Sequence, residues 1–188
     1  MHRPAQRLNE TLPAPKPSGY HFPMELHIVL HQPEIPQNTG SIGRTCMATG
    51  ARLHLIRPLG FVIDDTKLKR AGLDYWKELD VEIHDGWSAF RAAYPEAPLW
   101  YFTTKARRRH DEVAYGERAF LVFGRETAGL PNELLEDCPD CCLRIPIIAK
   151  ARSLNLSVAV GVAAFEALRQ SGFDDLSTVD PKGRLFRA

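Results

Sequence analysis

The chain has 188 residues, 44% hydrophobic and 25% charged, which suits one α/β-sized domain with a real core rather than a disordered or fibrous protein. Its 24 basic and 23 acidic residues leave a formal charge of +1, which excludes the strongly basic domain of a non-specific nucleic-acid binder. No apolar run approaches the roughly 18 residues that cross a bilayer, and no apolar segment follows Arg3 and Arg7, so neither a membrane nor export is expected.

Residues 1–23 carry five prolines and no apolar period, which predicts a flexible extension ahead of the fold. A strand is expected over 25–30, then a Pro-rich loop from His31 to Gln37. Asn38 is placed to cap a helix running to about Thr49, with Ile42 and Cys46 on its inner face and Gly50 as its stop. A strand over 52–56, a basic helical stretch around 66–71 and a weak strand over 81–84 follow. Next come a helix over 87–94 and a strand over 99–103. Residues 119–123 (AFLVF) form an apolar run of the kind buried on both faces of a parallel sheet.

Cys138, Cys141 and Cys142 cluster before a short strand over 142–145. Zinc would need a second ligand pair that spacing does not supply, so reduced thiols and no metal are expected there. A helix over 155–170 closes the pattern. Val158, Val162, Phe165 and Arg169 follow its period, and its charge-free stretch 158–165 predicts burial in a core or a subunit interface. The alternation of strands and helices points to an α/β fold with a largely parallel sheet flanked by helices. Residues 24–173 would form the domain and 174–188 a loose tail.

Three segments carry more than packing. In PQNTGSIGR (36–44), Gly40 and Gly43 sit inside a helix at a cost of about 1 kcal/mol each relative to Ala, as close approach to the backbone would require. After AFLVF comes GRETAGLP (124–131), a glycine-flanked loop at the carboxyl edge of the sheet, where open α/β folds bind ligands. It is neither GxGxxG nor a P-loop. Last, Arg144-Ile145-Pro146-Ile147 and then Ser153-Leu154-Asn155-Leu156-Ser157 open the final helix, with Ser153 and Asn155 as capping types. Singly, each segment has a plain structural explanation.

Together and in this order, NxGxxxR, GxExxGLP and IPI followed by SLNxS resemble the SPOUT (SpoU–TrmD) methyltransferases, most closely the YibK- or TrmL-like enzymes. The resemblance also takes in the loop 31–36 and residues 70–75, and it covers about 24–173. Close relatives commonly read GPETRGLP where this chain has Arg125 and Ala128. The resemblance implies a C-terminal deep trefoil knot and S-adenosyl-L-methionine as methyl donor, without a metal. It implies 2′-O-methylation of the wobble nucleotide, cytidine or uridine 34, in the anticodon of leucine tRNAs. Another tRNA site or ribosomal RNA is the alternative. A cytoplasmic homodimer acting on the tRNA anticodon stem-loop is expected.

Carried over residue by residue, the cofactor pocket would use Phe102, Thr103, Gly124, Gly129, Leu130, Ile145, Ser153 and Leu154. Arg44 would act on the ribose hydroxyl from the second subunit or close to it, with Asn38 and Glu126 holding the arrangement. A guanidinium with a pKa above about 12 is a poor base, so Arg44 is expected to orient and stabilise. RNA would meet the two local basic clusters at Lys69, Arg70, Lys105 and Arg107, with Arg152 close to the pocket.

Overall fold

The computed structural model describes residues 24–62, 76, 78–173 and 176–177. The extension 1–23, the basic stretch with Lys69 and Arg70, and all but Leu176 and Ser177 of the tail lie outside the described residues. Six strands form one sheet: β1 (Glu25–His31), β2 (Arg52–Ile56), β3 (Val81–His84), β4 (Leu99–Phe102), β5 (Arg118–Phe123) and β6 (Cys142–Leu143). Their order is β3-β2-β1-β5-β4-β6 and every pairing is parallel. The helices are α1 (Pro36–Thr49), α2 (Trp87–Ala93), α3 (Asn132–Glu136) and α4 (Leu156–Gln170), with a 3₁₀ turn at Pro139–Cys141.

Burial on both faces explains the apolar run of β5 from Ala119 to Phe123 and the Ile28-Val29-Leu30 centre of β1, which also buries His27 and His31. Alternate side chains serve opposite cores. Leu26, Ile28 and Leu30 pack with Ile42 and Cys46 of α1 and with Val160, Ala163 and Ala167 of α4. Val29, Phe120 and Val122 pack on the other face with Phe90 of α2 and Leu135 of α3. Among the described residues no helix is long and apolar enough to cross a membrane.

Four expectations change. The first helix starts at Pro36 with Ile35 as its cap residue and no side-chain cap bond; a proline tolerates the first helical turn because its missing N–H would be unpaired there anyway. Asn38 is thereby released for another task. The last strand ends at Leu143, after which Arg144 makes only an isolated bridge to Arg109. Cys138 and Cys141 are not reduced thiols but a disulfide, because the 3₁₀ turn between them brings their Cα atoms to 5.3 Å; Cys142 remains free and buried. Finally, Val158, Val162 and Phe165 face outward at 50%, 39% and 47% exposure, so the core option for that stripe falls away. The core-facing side of α4 is instead alanine-rich, which lets it lie close to the sheet.

Candidate functional site

The chain builds outward from β1 to β3, then crosses to β4 and returns to place β5 between β1 and β4. The strand order therefore reverses beside β1, and the loops leaving β1, β5, β4 and β6 meet at one edge, the usual place for a ligand in an open parallel sheet. There a cavity of about 660 Å³ opens. All eight residues expected to hold the cofactor line it: Phe102, Thr103, Gly124, Gly129, Leu130, Ile145, Ser153 and Leu154. Asn38, Glu126, Lys105 and Arg152 line it too. Arg107 lies on an adjoining cavity of about 480 Å³ that shares Thr103 and Lys105.

Three distant loops are tied together by polar side chains. The Glu126 carboxylate accepts from the backbone N–H of Glu34 (2.8 Å) and of Ile35 (3.2 Å), and from Asn38 Nδ2 (3.0 Å). Glu34 reciprocates, its carboxylate accepting from Thr127 N–H at 3.1 Å and from Thr127 Oγ1 at 2.7 Å. Asn38 Oδ1 accepts from Asn155 Nδ2 at 3.0 Å, while Asn155 Oδ1 caps α4 by accepting from Ser157 N–H at 2.9 Å. Asn38, 8% exposed, is thus the junction of all three sequence motifs. Charge-assisted bonds to backbone N–H groups are among the stronger neutral-pH contacts, so this clamp fixes the cavity rim.

Gly124 is required by contact. A Cβ there would lie 2.0 Å from the carbonyl carbon of Gly129 and 2.2 Å from the nitrogen of Leu130, atoms of backbone that cannot give way. Gly129 has φ +70°, a left-handed conformation that a side chain would strain. The loop 124–130 therefore folds tightly onto its own strand end, with the N–H of Gly129 donating to the carbonyl of Arg125 at 2.9 Å.

Arg44 is exposed on α1 and does not line this cavity. Six residues of helix turn it about 120° away from Asn38. Arg44 thus lies outside the lining that Asn38 and Glu126 share, as a residue acting from a second subunit would. Two participants were missed. Glu34 was visible only as part of the Pro-rich loop, and nothing local marks it as the partner of Thr127. Arg125, noted only as a departure from the usual loop, lines the cavity with its Nε buried and without a hydrogen-bond partner among the described residues. Burial, and then the Arg125 charge, hold the His31 imidazole below its usual pKa.

A family model described as SpoU rRNA Methylase matches residues 25–165. The chain belongs to the SpoU methylase family. Among its relatives, a tRNA (cytidine(34)-2'-O)-methyltransferase of Saccharophagus degradans is 52% identical over 148 residues, 78% of this chain and 96% of the relative. A solved structure described as giving insights into the 2-OH methylation of C/U34 on tRNA superposes with a TM-score of 0.75 at 49% identity, covering 80% of this chain and 99% of that one. A more distant SpoU-type neighbour, an AdoMet-bound rRNA methyltransferase from Sinorhizobium meliloti, has a TM-score of 0.70 at 26% identity over 80% of this chain and 58% of its own. In this SpoU methylase the family motifs are therefore the same segments that form the cavity rim.

Proposed function

We propose that the chain transfers a methyl group from S-adenosylmethionine to the ribose 2′-oxygen of nucleotide 34 of tRNA. The observation that carries this reading is the meeting of three motifs, 117 residues apart at the extreme, on one cavity at the sheet's carboxyl edge. A relative 52% identical carries that activity in its name. The cavity fits the cofactor. Leu130, Ile145, Leu154 and Phe102 give apolar walls for an adenine, while glycine-rich backbone at 124–130 offers N–H and C=O groups for its edge.

When bound, S-adenosylmethionine supplies an electrophilic methyl, so the protein's task is alignment and charge stabilisation. Glu126 and Asn38 hold the rim rather than touch the reacting atoms, since both carboxylate oxygens and both ends of the Asn38 amide have partners within the protein. Arg44 is the residue for the ribose, orienting the hydroxyl and stabilising the developing alkoxide. Arg44 does not line the cavity of its own chain, which supports a second copy of the chain as its source. The exposed stripe Val158, Val162 and Phe165 on α4 supplies an apolar face for a homodimer. Lys105, Arg107 and Arg152 surround the mouth for the anticodon stem-loop. Leucine tRNAs are the proposed substrates, and the cytoplasm the proposed location.

Membership of the SpoU family is what supports a C-terminal trefoil knot as the expected topology. Segment 103–110 runs beside β6, with Thr103 N–H donating to the Leu143 carbonyl and Arg144 N–H to the Arg108 carbonyl, both at 2.9 Å. The family's description favours ribosomal RNA as the second reading. An Arg44→Ala variant tests the assignment. It should bind S-adenosylmethionine as the wild type does but methylate tRNA about 100-fold to 1,000-fold more slowly. Undiminished turnover would remove Arg44 from the site.

A further inference from the structure

On the face of the sheet away from α1, three histidines line up across neighbouring strands: His27 on β1, His54 on β2 and His84 on β3. All are buried. His54 is directly opposite Glu82 in the β2–β3 register, and Glu82 and His84, two apart on β3, share one face. Three atoms converge there. His54 Nδ1 is 3.1 Å from His84 Nε2, and each lies 3.6 Å from Glu82 Oε2. A triangle with these sides has a centre about 2.0 Å from every corner, the bond length of zinc to imidazole nitrogen and carboxylate oxygen.

The surroundings prepare these atoms as ligands. The Glu25 carboxylate accepts from His27 Nε2 at 2.9 Å, so His27 Nδ1 carries a lone pair. That lone pair accepts from His54 Nε2–H at 2.8 Å, which leaves His54 Nδ1 unprotonated and turned toward the triangle. A carboxylate–histidine relay behind a metal-binding imidazole is the usual outer-sphere support. Tyr94 Oη donates to both Glu82 oxygens, at 2.9 and 2.8 Å, and Arg52 reaches Oε1 at 3.4 Å, which steadies the carboxylate while Oε2 faces the histidines. His84 needs only to hold its proton on Nδ1 instead of Nε2. The Glu82 side chain is 38% exposed and gives the ion a way in.

We propose that His54, Glu82 and His84 form a binding site for a divalent transition-metal ion of the zinc class. It would clip the short outer strand β3 to β2, with a fourth position for water. The donor set, two imidazoles and one carboxylate, suits a borderline ion and not calcium or magnesium. None of the three residues lines the methyl-transfer cavity, and the site does not depend on that reading.

The test uses the full-length chain, freed of metal with a chelator and titrated with Zn²⁺ by calorimetry and with Co²⁺ by visible absorption. One ion per chain is expected. At a hundredfold excess over Kd, Zn²⁺ should raise Tm by about 5 °C or more. Glu82→Gln and His84→Asn should each weaken binding at least tenfold and cut the Tm rise at the same Zn²⁺ concentration to about half or less, whereas Cys138→Ser/Cys141→Ser should bind as the wild type does. The bound Co²⁺ should show a tetrahedral visible spectrum without a thiolate charge-transfer band, a readout that stands even if a variant misfolds. Absence of saturable binding, binding that survives both β3 substitutions, or a thiolate band would overturn the proposal.

Discussion

Asn155 performs two tasks with one side chain, and Asn155→Asp separates them. Its Oδ1 accepts from Ser157 N–H and from Ser157 Oγ, capping α4, while its Nδ2 donates to Asn38 Oδ1. An aspartate keeps the cap and adds negative charge at a helix N-terminus, stabilising by about 0.3–1 kcal/mol. It loses the donor, which removes a bond worth about 1 kcal/mol and sets an oxygen against Asn38 Oδ1. The two effects on folding nearly cancel, so Tm should move by no more than about 4 °C. Binding should not escape. With Asn38 released, one of its two ties across the cavity rim is gone, and about 1–1.4 kcal/mol lost there weakens S-adenosylmethionine binding about fivefold to tenfold. Calorimetric titration and thermal unfolding of the same preparation measure both. Asn155→Ala should weaken binding similarly but also lose the cap, at about 1 kcal/mol of stability. An Asn155→Asp protein that binds within twofold of wild type would refute the role of the Asn38–Asn155 bond and leave Asn155 a helix cap only.

Gly124→Ala places a carbon inside the backbone of Gly129 and Leu130, so it should cost about 3 kcal/mol or more by urea unfolding and abolish cofactor binding. Wild-type stability would contradict the packing described. Phe165→Glu should sediment as a monomer and lose methyl transfer while keeping its fold by circular dichroism, and a persistent dimer would move the interface elsewhere. Burial pushes the Cys46 thiol up to about 12. The folded thiol therefore stays protonated where the unfolded one ionises, and its contribution is complete below pH 9 and lost as pH rises toward 12. Between pH 8 and 10 the stability of wild type relative to Cys46→Ala should fall by about 1 kcal/mol in urea titrations. A constant gap would show that Cys46 is not shielded.

Sheet strands were legible because both faces of β1 and β5 are covered, which writes burial directly into ELHIVLH and RAFLVF. Helix α1 was placed nearly to its ends, but its start was misread because Asn38 looks like a cap and in fact crosses to Glu126 and Asn155. No local rule distinguishes an asparagine that caps its own helix from one that bonds a residue 117 positions away. The cavity lining was legible only through the family resemblance that the three motifs carry together, since each alone reads as an ordinary strand end or helix start. The His27–His54–His84 ladder was not, because its members lie on three strands with no sequence period and meet only once register is fixed. Helix α3 and the 3₁₀ turn are too short to carry a periodic signal, and with the turn unseen the Cys138–Cys141 pairing stayed hidden.

The central claim is the reaction and its position. Incubation of the protein with unmodified bulk tRNA and ribosomal RNA in one mixture and methyl-labelled S-adenosylmethionine, followed by mapping of the labelled nucleotide, tests it most directly. Label on the ribose 2′-oxygen of nucleotide 34 is the predicted result. Label confined to ribosomal RNA or to another tRNA position, or none in any RNA, would contradict it.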